Sequence, residues 1–325
     1  MASPIAVLSV PGDWQYRQAA PPPAAAADRR TERAVQAENA TGRGPAGRVP
    51  LFCDTALARR IERAEAGLIA ASSRAAQQRR RGAAGFVIPL AGGIASYAEA
   101  DSPFNKVAGL GFGGVPSADE LAAVEQAFAA RGAAVQVELA HLADPAIGAV
   151  LTARGYRLES FENVLGRSLG RPPDPVTPPG IEVRLSPAEE IGPWLDVVTD
   201  AVAHPDTGGV PAHEEFPREA VARAELDMVA AGAVRYSALC DGALAGGGSM
   251  RVAGSIAQLT GAATAPARRR RGIQSALLSA RLAAAAAAGC EVAVVTTQPG
   301  SRSQQNVQRR GFDLLYTRAI LIRQP

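Results

Sequence analysis

The stretch 259-LTGAATAPARRRRGIQSALL-278 decides how this chain is read. Residues 256–264 read as a strand, Pro266 breaks it, four consecutive arginines and Gly272 form a loop, and a helix starts at Ile273. A strand feeding an Arg/Gly-rich loop that opens a helix presents unpaired backbone N–H groups and the positive end of a helix dipole. That arrangement suits an anionic group such as a pyrophosphate.

Working outward, the chain has 325 residues, 47% of them hydrophobic, and a net charge of only +3, so it has length for two ordinary domains but no global basic field of the kind that binds nucleic acid. Lys106 is the sole lysine, so nearly all positive charge is arginine. The arginine runs lack interleaved aromatics, which places a nucleic-acid-binding reading last. Three widely spaced cysteines (Cys53, Cys240, Cys290) with no CxxC fit reduced thiols in a cytoplasmic protein better than a disulfide framework. The apolar patch Ile5–Val10 is too short for a signal peptide, and no uncharged apolar run is long enough to span a bilayer. No histidine pair has metal-ligand spacing, so no metal is expected.

Residues 1–48, with Pro21–Pro23 and an alanine run, show no apolar periodicity and read as a disordered extension. From Asp54 as N-cap, apolar residues recur at helical spacing to about Ala76. Strands follow at 85–90, 94–98 and 106–112. A Ser117-capped helix runs to about Ala130 and is stopped by Gly132, then come a strand at 135–139, a short helix at 146–153 and a strand at 158–169. The segment 170-GRPPDPVTPPG-180 holds five prolines and reads as a linker between a domain at 49–169 and one at 181–325. The second half reads as strand 181–185, helices 187–203 and 216–231, a hairpin turned at Asp241-Gly242, a strand 255–264, helix 273–288, strand 291–296, helix 303–310 and strand 314–322. The halves repeat: Gly132 and Gly289 stop equivalent helices, 157 residues apart (289 − 132), and Gly155-Tyr156 answers Gly311-Phe312, 156 apart (311 − 155).

Here the second half resembles the GCN5-related N-acetyltransferase (GNAT) family. Its acyl-CoA signature, Arg/Gln-x-x-Gly-x-Gly/Ala after a strand, is met by Arg269 and Gly272, with Gln274 in place of the usual small residue. The closing Arg309-Arg310-Gly311-Phe312 and final strand also fit. The resemblance covers about 181–323 and implies an α+β (mixed α/β) fold of two tandem copies, each a mostly antiparallel sheet flanked by helices. The first copy is degenerate: its corresponding segment, Gly113 to Glu120, carries two acidic residues that would repel a pyrophosphate.

The resemblance further implies acetyl-CoA as co-substrate and direct attack on its thioester by a primary amine of a small molecule or amino-acid-like acceptor. Residues 270–275 (Arg270, Arg271, Gly272, Ile273, Gln274, Ser275) would cradle the pyrophosphate with Arg269, and Ala262, Ala263 and Thr264 would offer backbone groups to the pantetheine arm. Asn306 could hydrogen-bond the cofactor or face water. The family's usual tyrosine acid falls on Val307, which leaves Ser303, Tyr316 or solvent as acid; Ser303 is also explained as an N-cap and Tyr316 as strand packing. Glu215, with His213 and Glu214, sits in an acceptor-side loop as candidate base, or begins the next helix. The competing function is a non-catalytic acyl-CoA sensor. Monomer and homodimer both remain open.

Overall fold

The computed structural model describes residues 49–82, 85–170, 175–204 and 215–325, so the extension 1–48 and the loop residues His213 and Glu214 lie outside the described residues. The first element, α1 (Thr55–Arg79), begins where expected: the Asp54 carboxylate accepts the Leu57 N–H at 2.8 Å. Its buried face carries Ala58, Ile61, Leu68 and Ile69. The same helix presents Glu62, Glu65 and Arg79 to the second half of the chain. Arg79 donates to both oxygens of Asp227 at 3.0 and 2.7 Å, and Gln258 donates to Glu65 at 3.1 Å.

Strands β1 (Phe86–Leu90), β2 (Gly93–Tyr97) and β3 (Lys106–Ala108) are followed by α2 (Ala118–Ala129), β4 (Val135–Ala140), α3 (Ala146–Ala153) and β5 (Arg157–Ser168). Beyond the proline-rich segment come β6 (Ile181–Leu185), α4 (Ile191–Ala203), α5 (Arg218–Ala230), β7 (Val234–Cys240) and β8 (Ala243–Ala253). They are followed by β9 (Ile256–Gln258), β10 (Ala262–Thr264), α6 (Ile273–Ala287), β11 (Val292–Thr297), α7 (Arg302–Arg309) and β12 (Asp313–Arg323). Equivalent elements keep the repeat: β4 and β11 start 157 residues apart (292 − 135), α3 and α7 start 156 apart (302 − 146), and β5 and β12 start 156 apart (313 − 157).

All strands of the second half join those of the first in one sheet, ordered β1-β2-β3-β4-β12-β5-β11-β9-β8-β7-β6, with β10 pairing β8 off this path. Pairing is antiparallel except for β3 with β4 and β9 with β11. Each half thus has one parallel pair, bridged by α2 in the first and α6 in the second, as a parallel connection requires. At the centre the halves exchange their last strands. β12 lies between β4 and β5, and β5 lies between β12 and β11. The proline-rich segment therefore connects two sets of strands without interrupting the sheet, and residues 50–325 form one compact unit.

Two strand expectations change. The strand anticipated over 106–112 ends at Ala108, because Gly109 and Gly111 take φ of +71° and +90° and turn the chain. The strand anticipated over 255–264 is two strands, β9 and β10. Gly261, at φ +35°, lies in the break between them, and that break is the centre of the site.

Candidate functional site

After Gln258 the chain leaves its parallel neighbour. Leu259 still donates its N–H to the Val294 carbonyl at 2.9 Å, but β10 pairs only with β8. The V between β10 and β11 exposes one edge of β10. Ser249 donates to the Gly261 carbonyl at 3.2 Å and Ala265 to the Ala245 carbonyl at 2.9 Å, so by strand alternation Ala263 directs its backbone groups to β8. Ala262 and Thr264 direct theirs into the V.

The break is held from beneath by Arg281 of α6, which is 3% exposed. Its Nη1 donates to the carbonyls of Ser249 (3.0 Å), Thr260 (3.3 Å) and Gly261 (3.2 Å). Burial pulls this guanidinium down to about 10. Three consecutive glycines in β8 allow the close approach. A Cβ on Gly246 would lie 2.8 Å from the Ala263 carbonyl oxygen, one on Gly247 2.5 Å from Trp194 Nε1, and one on Gly248 3.2 Å from the Arg281 guanidinium. The sequence shows these glycines as a plain run; that each is required follows only once β10, α4 and α6 are seen to converge on them.

The arginine run divides its work. Arg271 pairs with Asp241 at 2.9 Å, away from the cleft, and Arg268 approaches the same carboxylate at 3.9 Å. Arg269 reaches back to the end of α4, donating to the carbonyls of Ala201 (3.3 Å) and His204. Arg270, at φ +64°, and Gly272, at φ +84°, turn the chain so that α6 starts with no side-chain cap. The first helical bond is from Ala276 to the Gly272 carbonyl, so the N–H groups of Ile273, Gln274 and Ser275 precede it at the helix's positive end. Gln274 lines the cleft, and its amide donates to Thr264 Oγ1 at 3.0 Å, tying the helix start to β10. A Cβ on Gly272 would lie 2.7 Å from Pro178, so the linker packs on this turn. The residues present fit a pyrophosphate: an uncapped helix start, a turn only glycine tolerates, and arginines beside it.

The equivalent helix of the first half is built oppositely. Ser117 Oγ accepts the Glu120 N–H at 3.2 Å, and the Glu120 carboxylate accepts the Ser117 N–H at 2.8 Å. This capping box fills the helix start with the protein's own oxygens.

A cleft of about 1090 Å³ runs from the α6 loop along the V to the seam between the halves. Ser303, Asn306, Val307 and Glu215 border it. Ser303 is exposed near its mouth and does not cap its helix; Ser301 does, accepting the Gln304 N–H at 3.1 Å. Glu215 is exposed just before α5. Tyr316 is 2% exposed, lies outside the cleft wall, and donates its hydroxyl to Glu62 at 2.7 Å, which removes it from the acid's place.

At the seam end the cleft meets charges that sequence reasoning missed. Arg318, 1% exposed, donates through Nε to Glu62 (2.8 Å) and through Nη1 to Glu162 (3.0 Å) and Glu138 (3.4 Å); Lys106 also pairs with Glu138. Glu65 stands beside them. Burial, reinforced by Glu138 and opposed by Arg318 and Lys106, pushes Glu162 up to about 7; burial also raises Glu65. These residues are spread over α1, β3, β4, β5 and β12. The one signal in the sequence was the lone Lys106, whose position a turn and strand start also explained. Among the described residues no group of His, Cys, Asp and Glu is arranged to hold a metal ion, and no helix is long and apolar enough to cross a membrane.

Comparison with known proteins identifies the fold. Residues 202–312 match the acetyltransferase (GNAT) family. A GCN5-related N-acetyltransferase from Kribbella flavida superposes with a TM-score of 0.56 at 20% identity, over 78% of this chain and 95% of that one. A tandem GNAT protein from the clavulanic acid biosynthesis pathway superposes with a TM-score of 0.53 at 15% identity, over 85% of this chain and 97% of that one. Both share the fold across the two halves. No curated protein matches the chain.

Proposed function

We propose that the protein transfers an acetyl group from acetyl-CoA to a primary amine of a small molecule. The observation that carries this reading is the uncapped, positive-φ start of α6 beside the open edge of β10, both facing one cleft. When bound, acetyl-CoA supplies a thioester whose carbonyl carbon forms a bond to the acceptor nitrogen as its C–S bond breaks. The N–H groups of residues 273–275 with Arg269 and Arg270 hold the pyrophosphate, and Ala262 and Thr264 receive the pantetheine amides along the V. Asn306 and Ser303 border the same cleft and would serve the thioester end, with Ser303 or water returning a proton to the departing sulfur. Glu215 borders the acceptor side.

In this reading the chain is two tandem copies, 49–169 and 181–325, joined at 170–180. The first is degenerate for donor binding, because Ser117 and Glu120 occupy the helix start that an anion would need. The three cysteines are free and buried, in keeping with a reducing cytoplasm, and the enzyme works as a monomer or homodimer.

The test is a thermal shift with acetyl-CoA followed by free-thiol release across an amine panel. Binding raises the melting temperature, and thiol release requires an amine. Gly272→Asp abolishes the shift while the circular dichroism spectrum stays native, since it puts a carboxylate and a strained φ where the phosphates bind. Retained affinity in that variant refutes the loop assignment. Stabilisation without turnover on any amine would make the protein a sensor, a reading that Val307 at the family tyrosine's position and the sequestered Tyr316 both favour.

A further inference from the structure

Glu225 of α5 is a buried carboxyl that the fold does not use. It is 5% exposed, and among the described residues no group donates to either of its oxygens. Oε2 is closed off, whereas Oε1 is turned to Gly261, at the break between β9 and β10. Gly261 lines the cleft, as do Ala224 and Met228 on the same stretch of α5. A Cβ at position 261 would lie 2.9 Å from Oε1, so any larger residue would crowd the carboxyl, and glycine leaves that side of it open.

The groups around it are engaged elsewhere. Ser249 Oγ and Thr260 Oγ1 bond each other at 2.9 Å. Arg235 of β7 is the charge that acts on Glu225, yet its Nη2 donates to the Pro187 carbonyl at 3.2 Å and its guanidinium lies over the Trp194 ring. On α1, Arg79 is bonded to Asp227, and Glu65 accepts from Gln258. Arg251 of β8 donates to Gln258 and to the Ala231 carbonyl, and Arg281 of α6 holds the carbonyls of the break.

Packing does not require an acid here, since a buried carboxylate without a partner costs stability that an apolar side chain of similar volume would not. Burial, partly offset by Arg235, pushes the Glu225 carboxyl up to about 7, a value from which it can take and give a proton near neutral pH. An unbonded carboxyl beside the one point where the donor strand breaks is placed for chemistry rather than for the fold.

We propose that Glu225 is the base of the transfer: across Gly261, its Oε1 takes a proton from the acceptor's ammonium group at the break. The proposal rests on the acyl-transfer reading above. In the step, R–NH3⁺ and the Glu225 carboxylate become R–NH2 and the carboxylic acid. The freed nitrogen pair forms the bond to the thioester carbonyl carbon, and the C–S bond breaks with its electron pair on sulfur. The nitrogen's second proton ends on that sulfur as free thiol, and Glu225 then gives its proton to solvent.

The experiment uses the full chain and the alkyl amine turned over best in the panel, with kcat/KM followed across pH. Glu225→Gln is expected to lower kcat/KM near pH 7 by about 100-fold or more, while the thermal shift with acetyl-CoA stays that of the parent. Its melting temperature near pH 8 is no lower than the parent's, so the loss is not unfolding. The deficit shrinks as pH rises toward the amine's own value, where free amine needs no base. In the parent, kcat/KM falls below about pH 7 as the carboxylate takes up its proton, and the variant loses that inflection. Glu225→Asp, which keeps a carboxylate one methylene further back, recovers part of the activity. A Glu225→Gln rate within about threefold of the parent, or a loss of the same size at every pH, overturns the proposal. A parent protein that shows no acetyl-CoA shift, or acetylates no amine, overturns instead the transfer reading on which it rests.

Discussion

Arg318→Met tests the energetic centre of the structure. The guanidinium is 1% exposed and bonds Glu62 at 2.8 Å, Glu162 at 3.0 Å and Glu138 at 3.4 Å. Methionine fills most of the volume, so the loss is electrostatic: Glu62 keeps only the Tyr316 hydroxyl, and Glu138 keeps Lys106. Removing one partner of a buried pair costs about 3–5 kcal/mol because a charge is left uncompensated. Against a total of about 5–15 kcal/mol for a folded domain, that is a large fraction. The cost depends on pH with a definite sign. Without Arg318, whose charge holds them down, the burial-raised Glu162 and Glu65 titrate still further above their unfolded value, so between the two values the folded state holds more protons than the unfolded one. The variant's deficit is therefore full above the folded value and shrinks as pH falls toward the unfolded one. Urea denaturation followed by circular dichroism should give a deficit of about 3–5 kcal/mol near pH 8 and clearly less near pH 5.5. Adding Glu62→Gln to Arg318→Met should recover part of it near pH 8, since one orphaned charge is gone. A deficit below about 1 kcal/mol at both pH values, or one that grows on acidification, refutes the assignment of Arg318 as the counter-charge of the seam.

Other consequences follow from the same geometry. Gly247→Ala puts a Cβ 2.5 Å from Trp194 Nε1, displacing the indole from the Tyr236 carbonyl it bonds at 3.0 Å. A loss of about 1–3 kcal/mol in denaturant midpoint analysis is expected, and an unchanged midpoint would show that α4 gives way freely. Glu225, 5% exposed with one oxygen unpartnered, is pushed up to about 7 by burial, partly offset by Arg235. Its folded value lies above the unfolded 4.5, so it destabilises progressively as pH rises from 4.5 to about 7. Glu225→Gln should then gain about 3 kcal/mol near pH 8 and little near pH 4.5, and a gain independent of pH would contradict the titration. Deleting 313–325 removes β12 and leaves β4 and β5 without a shared neighbour, so the truncated chain should lose soluble, cooperative unfolding; native-like melting of that chain would count against the strand exchange.

Much of this architecture was legible in the residues, and what was hidden has a common cause. Capping and stop chemistry is local, so Asp54, Ser117 and Gly289 bounded their helices as read. The repeat was legible because equivalent elements kept their spacing through two copies. The loop at Gly272 was legible because a glycine that follows arginines and opens a helix combines a positive-φ turn, free N–H groups and cationic side chains within a few residues. The break between β9 and β10 was not, since small residues through 255–264 satisfy one strand as well as two, and only the competition of β8 and β11 for the chain decides between them. Tyr316 shows the same limit: on sequence it fits an acid or a packing residue, and its partner Glu62 lies 254 positions away. The glutamates of the seam are four separate, ordinary-looking charges until the strands bring them together.

The strand exchange also explains why the two copies stay attached. In a free-standing second half, β11 would lack β5 and leave an unpaired strand edge beside the V. Exchange supplies β5, and with it Glu162 and Val164, from the other copy. It also carries Arg318 of β12 into the neighbourhood of Glu138 on β4, so the guanidinium that holds the seam belongs to one half and three of its surrounding carboxylates (Glu62, Glu138, Glu162) to the other. Neither half can therefore be lost without dismantling both the central sheet and the seam end of the cleft. The capping box at Ser117 and Glu120 fits this division. Filled by the chain's own carboxylate, that helix start leaves no N–H groups open to an anion, and the cap stabilises the fold. Reopening that helix start with Glu120→Gly should then cost stability without creating a second donor site. Calorimetric titration with acetyl-CoA should still find one binding event per chain, and a second would show the first copy to be dormant rather than repurposed.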